Sequence, residues 1–140
     1  MVPDKTKPTS GLYVHVPFCA RKCDYCAFFS ESSSGELMNR YTAALIREME
    51  LVAEGFVPRT IFFGGGTPSL LPGSALVRIL DRIPRTPGAE VTVECNPETV
   101  SRALFEQYVA GGVTRVSFGV QSMVPEVLQA LGRQHDPQAV

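Results

Sequence analysis

Three cysteines near the start of the sequence have the spacing of a metal-binding loop. Cys19, Cys23 and Cys26 form a C-x3-C-x2-C pattern within PFCARKCDYCAFF, and cysteine thiolates are ligands of both iron–sulfur clusters and zinc. A 4Fe–4S cube has four corners, so three cysteines leave one iron open to a substrate or cofactor. Zinc, with Cys95 or His15 as fourth ligand, is the alternative, but zinc sites favour pairs such as C-x2-C. The pattern therefore favours an iron–sulfur cluster.

Polar residues also follow three later segments that have the composition of β-strands. Three glycines at 64–66 precede Thr67, and such a backbone can approach a ligand closely and offer its N–H groups. Glu94 ends the next segment, where it could form a salt bridge or accept hydrogen bonds from sugar hydroxyls. Gln121 follows the last segment and could cap a loop or donate to a ligand. Because ligands of parallel α/β folds bind outside the carboxyl ends of the strands, we expect all these residues on one face.

Two potential metal ligands have simpler roles. His15 alternates with Tyr13 along a strand-like segment, which favours a hydrogen-bonded strand histidine. Cys95 neighbours Glu94 and is expected on the opposite face of its strand, as a small buried hydrophobic residue.

The segments that must position these residues alternate between strand and helix patterns. Strands are predicted at 12–16, 60–63, 91–95 and 115–120, where β-branched and aromatic residues concentrate. Apolar residues at helical spacing predict helices between them, the first starting at a Ser33–Glu36 capping box, and a fourth helix near 124–131. Four βα units in series predict an α/β fold with parallel strands. A doubly wound sheet and an incomplete barrel both fit this order, because four units cannot close an eight-stranded barrel.

Composition excludes several classes of function. The 140 residues are 44% apolar and carry a net charge of −1, which predicts a packed core and no electrostatic attraction to nucleic acid or anionic membranes. No apolar run reaches the length of a membrane-spanning helix, and the polar start is not a signal peptide, so a cytoplasmic protein is expected. Residues 1–11 are expected to be disordered, and residues 12–140 to form a core domain truncated after four βα units.

Several motifs together resemble one family. YVHVPFCARKCDYCAF, FFGGGTPS, VECNPE, RVSFGVQS and LGRQH resemble, in this order, the radical S-adenosylmethionine (SAM) family. More narrowly, they resemble the branch that contains oxygen-independent coproporphyrinogen III oxidase and the haem chaperone HemW. The resemblance implies the N-terminal part of a partial (β/α)6 barrel.

The resemblance also implies a role for each polar residue. Cys19, Cys23 and Cys26 would ligate a 4Fe–4S cluster, and SAM would chelate the fourth iron through its amino and carboxylate groups. Reductive cleavage of SAM would then give a 5′-deoxyadenosyl radical. The residues implied to contact SAM are Tyr13, Tyr25, Gly65, Gly66, Thr67, Glu94, Gln121 and Arg133.

Some of these implied contacts are more specific. Tyr25 would pack against the adenine, Glu94 would accept hydrogen bonds from the ribose hydroxyls, and Gly65, Gly66 and Thr67 would lie along the methionyl amino group. Gln121 and Arg133 match positions that bind a second SAM in the oxidase.

Phe28 separates the two readings within the branch. The oxidase resembles C-x3-C-x2-C-x-C and carries a longer N-terminal arm, whereas this sequence has Phe28 at the last position and a short arm. Both features favour the HemW-like reading, in which haem is bound and passed to an acceptor protein. The oxidase, acting on a porphyrinogen, is the alternative. Either reading implies an electron donor such as flavodoxin or ferredoxin.

Overall fold

The computed structural model describes residues 11–32, 34–52 and 55–140, with only the backbone at positions 52 and 139. The strands are β1 (Leu12–Val16), β2 (Phe18–Cys19), β3 (Glu31–Ser32), β4 (Thr60–Gly65), β5 (Glu90–Cys95) and β6 (Arg115–Phe118). The helices are α1 (Gly35–Val52), α2 (Gly73–Leu80), α3 (Arg102–Gly111) and α4 (Pro125–Ala130). Short 3-10 turns follow β4, β5 and α4, at Pro68–Leu70, Pro97–Thr99 and Pro137–Ala139.

The four longer strands form one parallel sheet in the order β1-β4-β5-β6. Val16 lies opposite Gly65, Phe63 opposite Val93, and Cys95 opposite Phe118. All four strands therefore end at the same edge, and a helix follows each of them before the next strand of this sheet or the end of the chain. This arrangement confirms the predicted α/β fold with four βα units.

One face of the sheet carries the hydrophobic core. Val14, Val16, Phe63, Val91 and Val93 alternate along their strands and are at most 1% exposed, as the period of two in a strand requires. They pack with the apolar stripes of the helices, mainly Leu45, Met49, Leu76, Ile79, Leu80 and Tyr108. Each such side chain contributes about 1.5–3 kcal/mol to folding when fully buried, so this layer holds the strand ends in place.

Some element boundaries differ from the sequence expectation. The second strand of the main sheet continues past Phe63 through two glycines, because Gly64 and Gly65 pair with His15 and Val16. The fourth strand ends at Phe118 rather than at residue 120. Gln121 has a φ of 67°, a left-handed conformation that ends extended backbone.

The first two helices have well-defined limits within the described residues. Ser33, expected to begin the first helix, lies outside the described residues, and the Ser34 hydroxyl accepts the backbone N–H of Leu37 at 3.2 Å. The second helix begins at Gly73 and ends at Leu80, one turn before Pro84.

The expectation of disorder at the N-terminus falls almost entirely on residues outside the described part. Within residues 11–32, 34–52 and 55–140, no helix has the length and apolar character needed to cross a membrane.

Candidate functional site

The residues expected to carry chemistry meet in one cavity of about 360 Å³ at the carboxyl ends of the strands. The cavity is lined by Cys19, Arg21, Cys23, Tyr25, Cys26, Phe28, Gly65, Gly66, Thr67, Glu94, Cys95, Asn96, Ser117, Phe118, Gly119, Gln121 and Arg133. Each strand of the main sheet thus supplies part of the wall, directly or through the loop that follows it. The predicted convergence on one face is confirmed.

The three clustered cysteines run from the end of β2 into the cysteine loop that leads to β3. Cys19 is the last residue of β2, and Cys23 and Cys26 lie on the loop. Cys19, Cys23 and Cys26 are half-buried free thiols, and all three line the cavity. The backbone N–H of Cys26 donates to the Cys23 carbonyl at 3.0 Å, which closes a tight turn between them. The loop therefore presents three sulfurs to one space without a disulfide among them.

Backbone hydrogen bonds join this loop to the glycine-rich loop after β4. The N–H of Gly66 donates to the Val16 carbonyl at 2.8 Å, and the N–H of Thr67 donates to the Phe18 carbonyl at 2.6 Å. The Thr67 hydroxyl donates to the sulfur of Cys19 at 3.7 Å. The position of the first cysteine is therefore set by the loop that follows β4.

The glycines are required by neighbouring groups of the protein itself. Gly65 has a φ of +110°, and a Cβ there would lie 2.5 Å from ring atoms of His15. A Cβ on Gly66 would lie 2.6 Å from the Phe18 carbonyl oxygen. His15 is oriented by Tyr13, whose hydroxyl lies 3.1 Å from its Nδ1, so it is a hydrogen-bonded strand histidine as expected.

Glu94 and Tyr13 flank the same glycine. A Cβ on Gly64 would lie 3.0 Å from both Glu94 Oε2 and Tyr13 Cε2. Tyr13 stacks on Phe62 with ring centroids 6.1 Å apart. Burial, and then the Glu94 carboxylate, raise the pKa of Tyr13. Glu94 lines the cavity, whereas Tyr13 is not among the lining residues and is 53% exposed.

Arg133 reaches the cavity from the turn after α4 and contacts three other segments. Its NH1 donates to the sulfur of Cys23 at 3.6 Å. Its NH2 donates to Asn96 Oδ1 at 3.3 Å and to the Gly119 carbonyl at 2.5 Å. The guanidinium therefore joins the cysteine loop to the ends of β5 and β6.

The open side of the cavity carries exposed residues. Tyr25, Phe28 and Gln121 all line it and are solvent-exposed, Phe28 by 63%. Partial burial, and then the Cys23 thiol, raise the pKa of Tyr25. Ser122, which also follows the last strand, accepts the N–H of Val124 at 3.0 Å and does not line the cavity.

Cys95 differs from the other three cysteines. It is 3% exposed and belongs to the hydrophobic core, and its sulfur donates to the Val93 carbonyl at 3.7 Å. Burial raises the pKa of this thiol to about 11, so at neutral pH it stays protonated. The expected role as a small buried hydrophobic residue is confirmed, although the residue also reaches the cavity wall.

Some lining residues carry no signal in the sequence. Arg21, Ser117, Phe118 and Gly119 line the cavity but belong to no chemical pattern. The sequence shows Asn96 as a polar residue directly after a strand, but it gives no sign that Asn96 bonds to Arg133. The Asn96 N–H donates to Ser69 Oγ at 3.1 Å, which holds the two 3-10 turns after β4 and β5 together.

Comparison with known families decides among the folds that share this order of elements. The family model described as the Radical SAM superfamily matches residues 13–140. The chain belongs to the radical SAM superfamily. Members of this superfamily generally use a 4Fe–4S cluster and SAM, which agrees with a cysteine loop facing a glycine-rich loop.

Curated relatives that resemble the chain include haem chaperones and a porphyrinogen oxidase. It is 44% identical over 139 residues to the heme chaperone HemW of Escherichia coli, covering 94% of this chain and 37% of that protein. It is 42% identical to HemW of Mycobacterium tuberculosis, covering 91% and 35%. The oxygen-independent coproporphyrinogen III oxidase of Paracoccus denitrificans is 34% identical, covering 89% and 30%. The chain spans about a third of the length of these relatives.

A solved structure shares the fold of the chain. The E. coli coproporphyrinogen III oxidase HemN, described as a radical SAM enzyme, matches with a TM-score of 0.88 and 26% identity. The match covers 99% of this chain and 33% of the oxidase. The chain therefore has the fold of about a third of that protein.

The arrangement of donors was tested against the cofactor that the superfamily implies. A single ion gathers its ligands closely, since Zn–S distances are about 2.3 Å. No group of three or more His, Cys, Asp or Glu residues in the described part of the chain is spaced for one ion. Three separate thiols around one cavity fit a polynuclear cluster, which takes one cysteine at each of three corners.

Proposed function

We propose that this chain forms the cluster- and SAM-binding part of a HemW-type haem chaperone. The observation that carries the proposal is the convergence of three free cysteines, the glycine-rich loop and Glu94 on one cavity. In this reading Cys19, Cys23 and Cys26 hold a 4Fe–4S cluster and leave one iron open to SAM. Residues 12–140 then act as a single domain.

The other lining residues suit the parts of SAM that the resemblance assigns to them. Gly65 and Gly66 have no side chains, so the methionyl group can approach the backbone beside Thr67. Glu94 presents a carboxylate to the same cavity and can accept hydrogen bonds from ribose hydroxyls. Tyr25 offers an exposed ring at the rim for the adenine. Tyr13 lies near Glu94, on the other side of Gly64, and the resemblance assigns it contact with SAM near the cluster.

The hard chemistry would belong to the cofactors, since the cluster and SAM would together supply the radical reactivity of the superfamily. The protein's own residues position and shield these groups. Thr67 donates to the sulfur of Cys19, and Arg133 donates to the sulfur of Cys23. Such hydrogen bonds adjust the reduction potential of iron–sulfur clusters. Gln121 and Arg133 also line the cavity, and we assign them the contact with a second SAM that the resemblance implies.

Phe28 favours haem transfer over porphyrinogen oxidation. It occupies the position where the oxidase pattern has a further cysteine, and its exposed ring faces the cavity. A flat apolar ring provides a surface on which a porphyrin can pack. The HemW relatives with 42–44% identity favour the same reading. Haem, an electron donor and a haem-acceptor protein are therefore its proposed partners.

Anaerobic reconstitution of the full-length protein with iron and sulfide tests the proposal. We expect four irons per chain, a SAM-dependent change in the electron paramagnetic resonance (EPR) spectrum of the reduced cluster, and binding of haem that an acceptor apoprotein can withdraw. A colourless protein with stoichiometric zinc would overturn the proposal.

The oxidase remains the second candidate because the 34% identical Paracoccus relative and the HemN structure bear that name. In this case the protein, with SAM and a reductant, would convert coproporphyrinogen III to protoporphyrinogen IX. Rescue of an anaerobic oxidase mutant by the full-length gene would favour the oxidase. Haem transfer without that conversion would favour the chaperone.

A further inference from the structure

We propose that Arg133 is a positioning residue that holds the cysteine loop against the sheet and places its positive charge beside the Cys23 sulfur. This inference rests on the proposed function, because it concerns the cluster that Cys23 is assigned to hold. It goes beyond the assigned contact of Arg133 with SAM, since it describes an effect that operates before SAM binds.

The geometry gives the guanidinium three partners in three different segments. NH1 lies 3.6 Å from Cys23 Sγ on the cysteine loop. NH2 lies 3.3 Å from Asn96 Oδ1, just after β5, and 2.5 Å from the Gly119 carbonyl, just after β6. Cys23 and Arg133 are 110 residues apart in sequence, so this contact closes the cavity over a long span of chain.

The backbone brings Arg133 to this position by a second contact with the cysteine loop. Gly132 has a φ of +68°, and a Cβ there would lie 3.0 Å from Asp24 Oδ2. The Arg133 N–H donates to the Leu128 carbonyl at 2.9 Å, which ends α4 in a tight turn. The turn after α4 therefore lies directly against the residue that follows Cys23.

The chemistry of arginine explains why this residue type suits the position. A guanidinium has five N–H donors in a rigid plane and keeps its charge at any ordinary pH. Two of its nitrogens reach separate partners at once, which a single lysine ammonium does less well. Two carbonyl-type oxygens orient the plane, and a remaining N–H is directed at sulfur.

A positive charge beside one sulfur affects the cluster more in its reduced form. Reduction adds an electron, so a nearby cation stabilises the reduced state more than the oxidised state. Charge and hydrogen bonds at the sulfurs set the potential of such clusters. Arg133 therefore raises the reduction potential of the cluster and makes its reduction by the electron donor easier.

The test compares Arg133→Gln and Arg133→Lys with the natural full-length protein, each reconstituted anaerobically and studied without SAM. Arg115→Gln is the matched control, because it also removes one arginine charge. Arg115 lies at the start of β6, away from the Gly119 end that Arg133 contacts, and it pairs with Glu90 at 3.1 Å. The reduction potential is measured by redox titration followed by EPR. The rate of cluster loss to a chelator is measured in parallel.

We expect Arg133→Gln to lower the potential and to lose its cluster several-fold faster. Arg133→Lys should keep a potential closer to the natural value, because the charge remains, but should lose the cluster faster than the natural protein. Arg115→Gln should change neither quantity.

Each other outcome is also informative. An Arg133→Gln protein with its cluster intact and an unchanged potential would overturn the inference. If the Arg133→Gln protein holds no cluster, the Arg133→Lys protein decides. A reduction potential and a rate of cluster loss both equal to those of the natural protein would then overturn the inference. Absence of a cluster from the natural protein would instead contradict the proposed function.

Discussion

The Thr67 hydroxyl donates to the sulfur of Cys19 at 3.7 Å, across the gap between the glycine-rich loop and the cysteine loop. The Thr67 backbone N–H donates to the Phe18 carbonyl at 2.6 Å, so one residue holds the start of the cysteine loop at two points. A threonine at this position thus couples the glycine-rich loop to the first of the three clustered cysteines.

Thr67→Val tests the side-chain half of this link. The change keeps the shape of the side chain and removes the hydroxyl. We therefore expect the free energy of unfolding to fall by about 1 kcal/mol and the cluster to be released faster to a chelator. Thr67→Ser keeps the hydroxyl and should lie close to the natural protein. Equal release rates for the valine and serine variants would show that the hydroxyl bond to Cys19 contributes nothing.

Gly65→Ala should be strongly destabilising. The backbone at Gly65 has a φ of +110°, and the new Cβ would meet the His15 ring at 2.5 Å. Strain and overlap together should lower the free energy of unfolding by at least about 2 kcal/mol, measured by chemical denaturation of the full-length protein.

Two companions separate the causes at Gly65. Gly35→Ala, where a Cβ meets nothing within 4 Å, should leave stability unchanged or raise it by up to about 1 kcal/mol. Adding His15→Ala to Gly65→Ala removes the overlap and keeps the φ strain, so it should restore part of the loss. A Gly65→Ala protein as stable as the Gly35→Ala protein would contradict the packing described for this loop.

The four βα units could be predicted because their signals are local. Strands such as Leu12–Val16 and Glu90–Cys95 carry β-branched residues at alternating or continuous positions, and the core face follows from that pattern. Gly64 and Gly65 have no strand propensity, and they join the sheet only because His15 and Val16 lie opposite them. The two-residue strands β2 and β3 are too short to leave a pattern.

The site was predictable as far as it follows from strand ends. Glu94, Gln121 and the glycine-rich loop come together because parallel strands end at one edge. The bonds from Arg133 to Cys23, Asn96 and Gly119 depend on the path of the chain after α4. No local pattern encodes that path, and so sequence reasoning could treat Arg133 only through the family resemblance.

Cys95 should be the least reactive of the four cysteines. Burial raises the pKa of its thiol to about 11, so only about one molecule in a thousand carries the reactive thiolate at pH 8. Alkylation of the metal-free protein at that pH, mapped by mass spectrometry, should modify Cys19, Cys23 and Cys26 well before Cys95. Modification of Cys95 as fast as the others would contradict its burial.

The matching variants test the assignment of ligands. Cys95→Ala should retain a full cluster after reconstitution, because the thiol is buried and protonated. Cys23→Ala should lose stable cluster binding, because one of three corners then has no protein ligand. Iron content and EPR of the two proteins compare them directly, and a cluster lost only in the Cys95→Ala protein would reverse the assignment.

Stability should fall at alkaline pH in part through Cys95, which is buried, and Tyr41, which is partly buried. Burial raises the pKa of Cys95 from 9.0 to about 11 and that of Tyr41 from 10.0 to about 12. Tyr41 also donates a hydrogen bond to the His15 carbonyl. Because the folded state binds these protons more tightly than the unfolded state, their stabilising contribution is complete below pH 9 and is lost as pH rises toward 12.

Chemical denaturation of the metal-free full-length protein between pH 7 and pH 11.5 measures this loss. We expect a nearly constant contribution from these groups up to pH 9 and a progressive fall above it. Cys95→Ala should reduce the slope of the unfolding free energy against pH mainly between pH 9 and 11. Tyr41→Phe should reduce this slope mainly between pH 10 and the upper limit. Slopes in both variants equal to that of the natural protein would show that other groups control the alkaline transition.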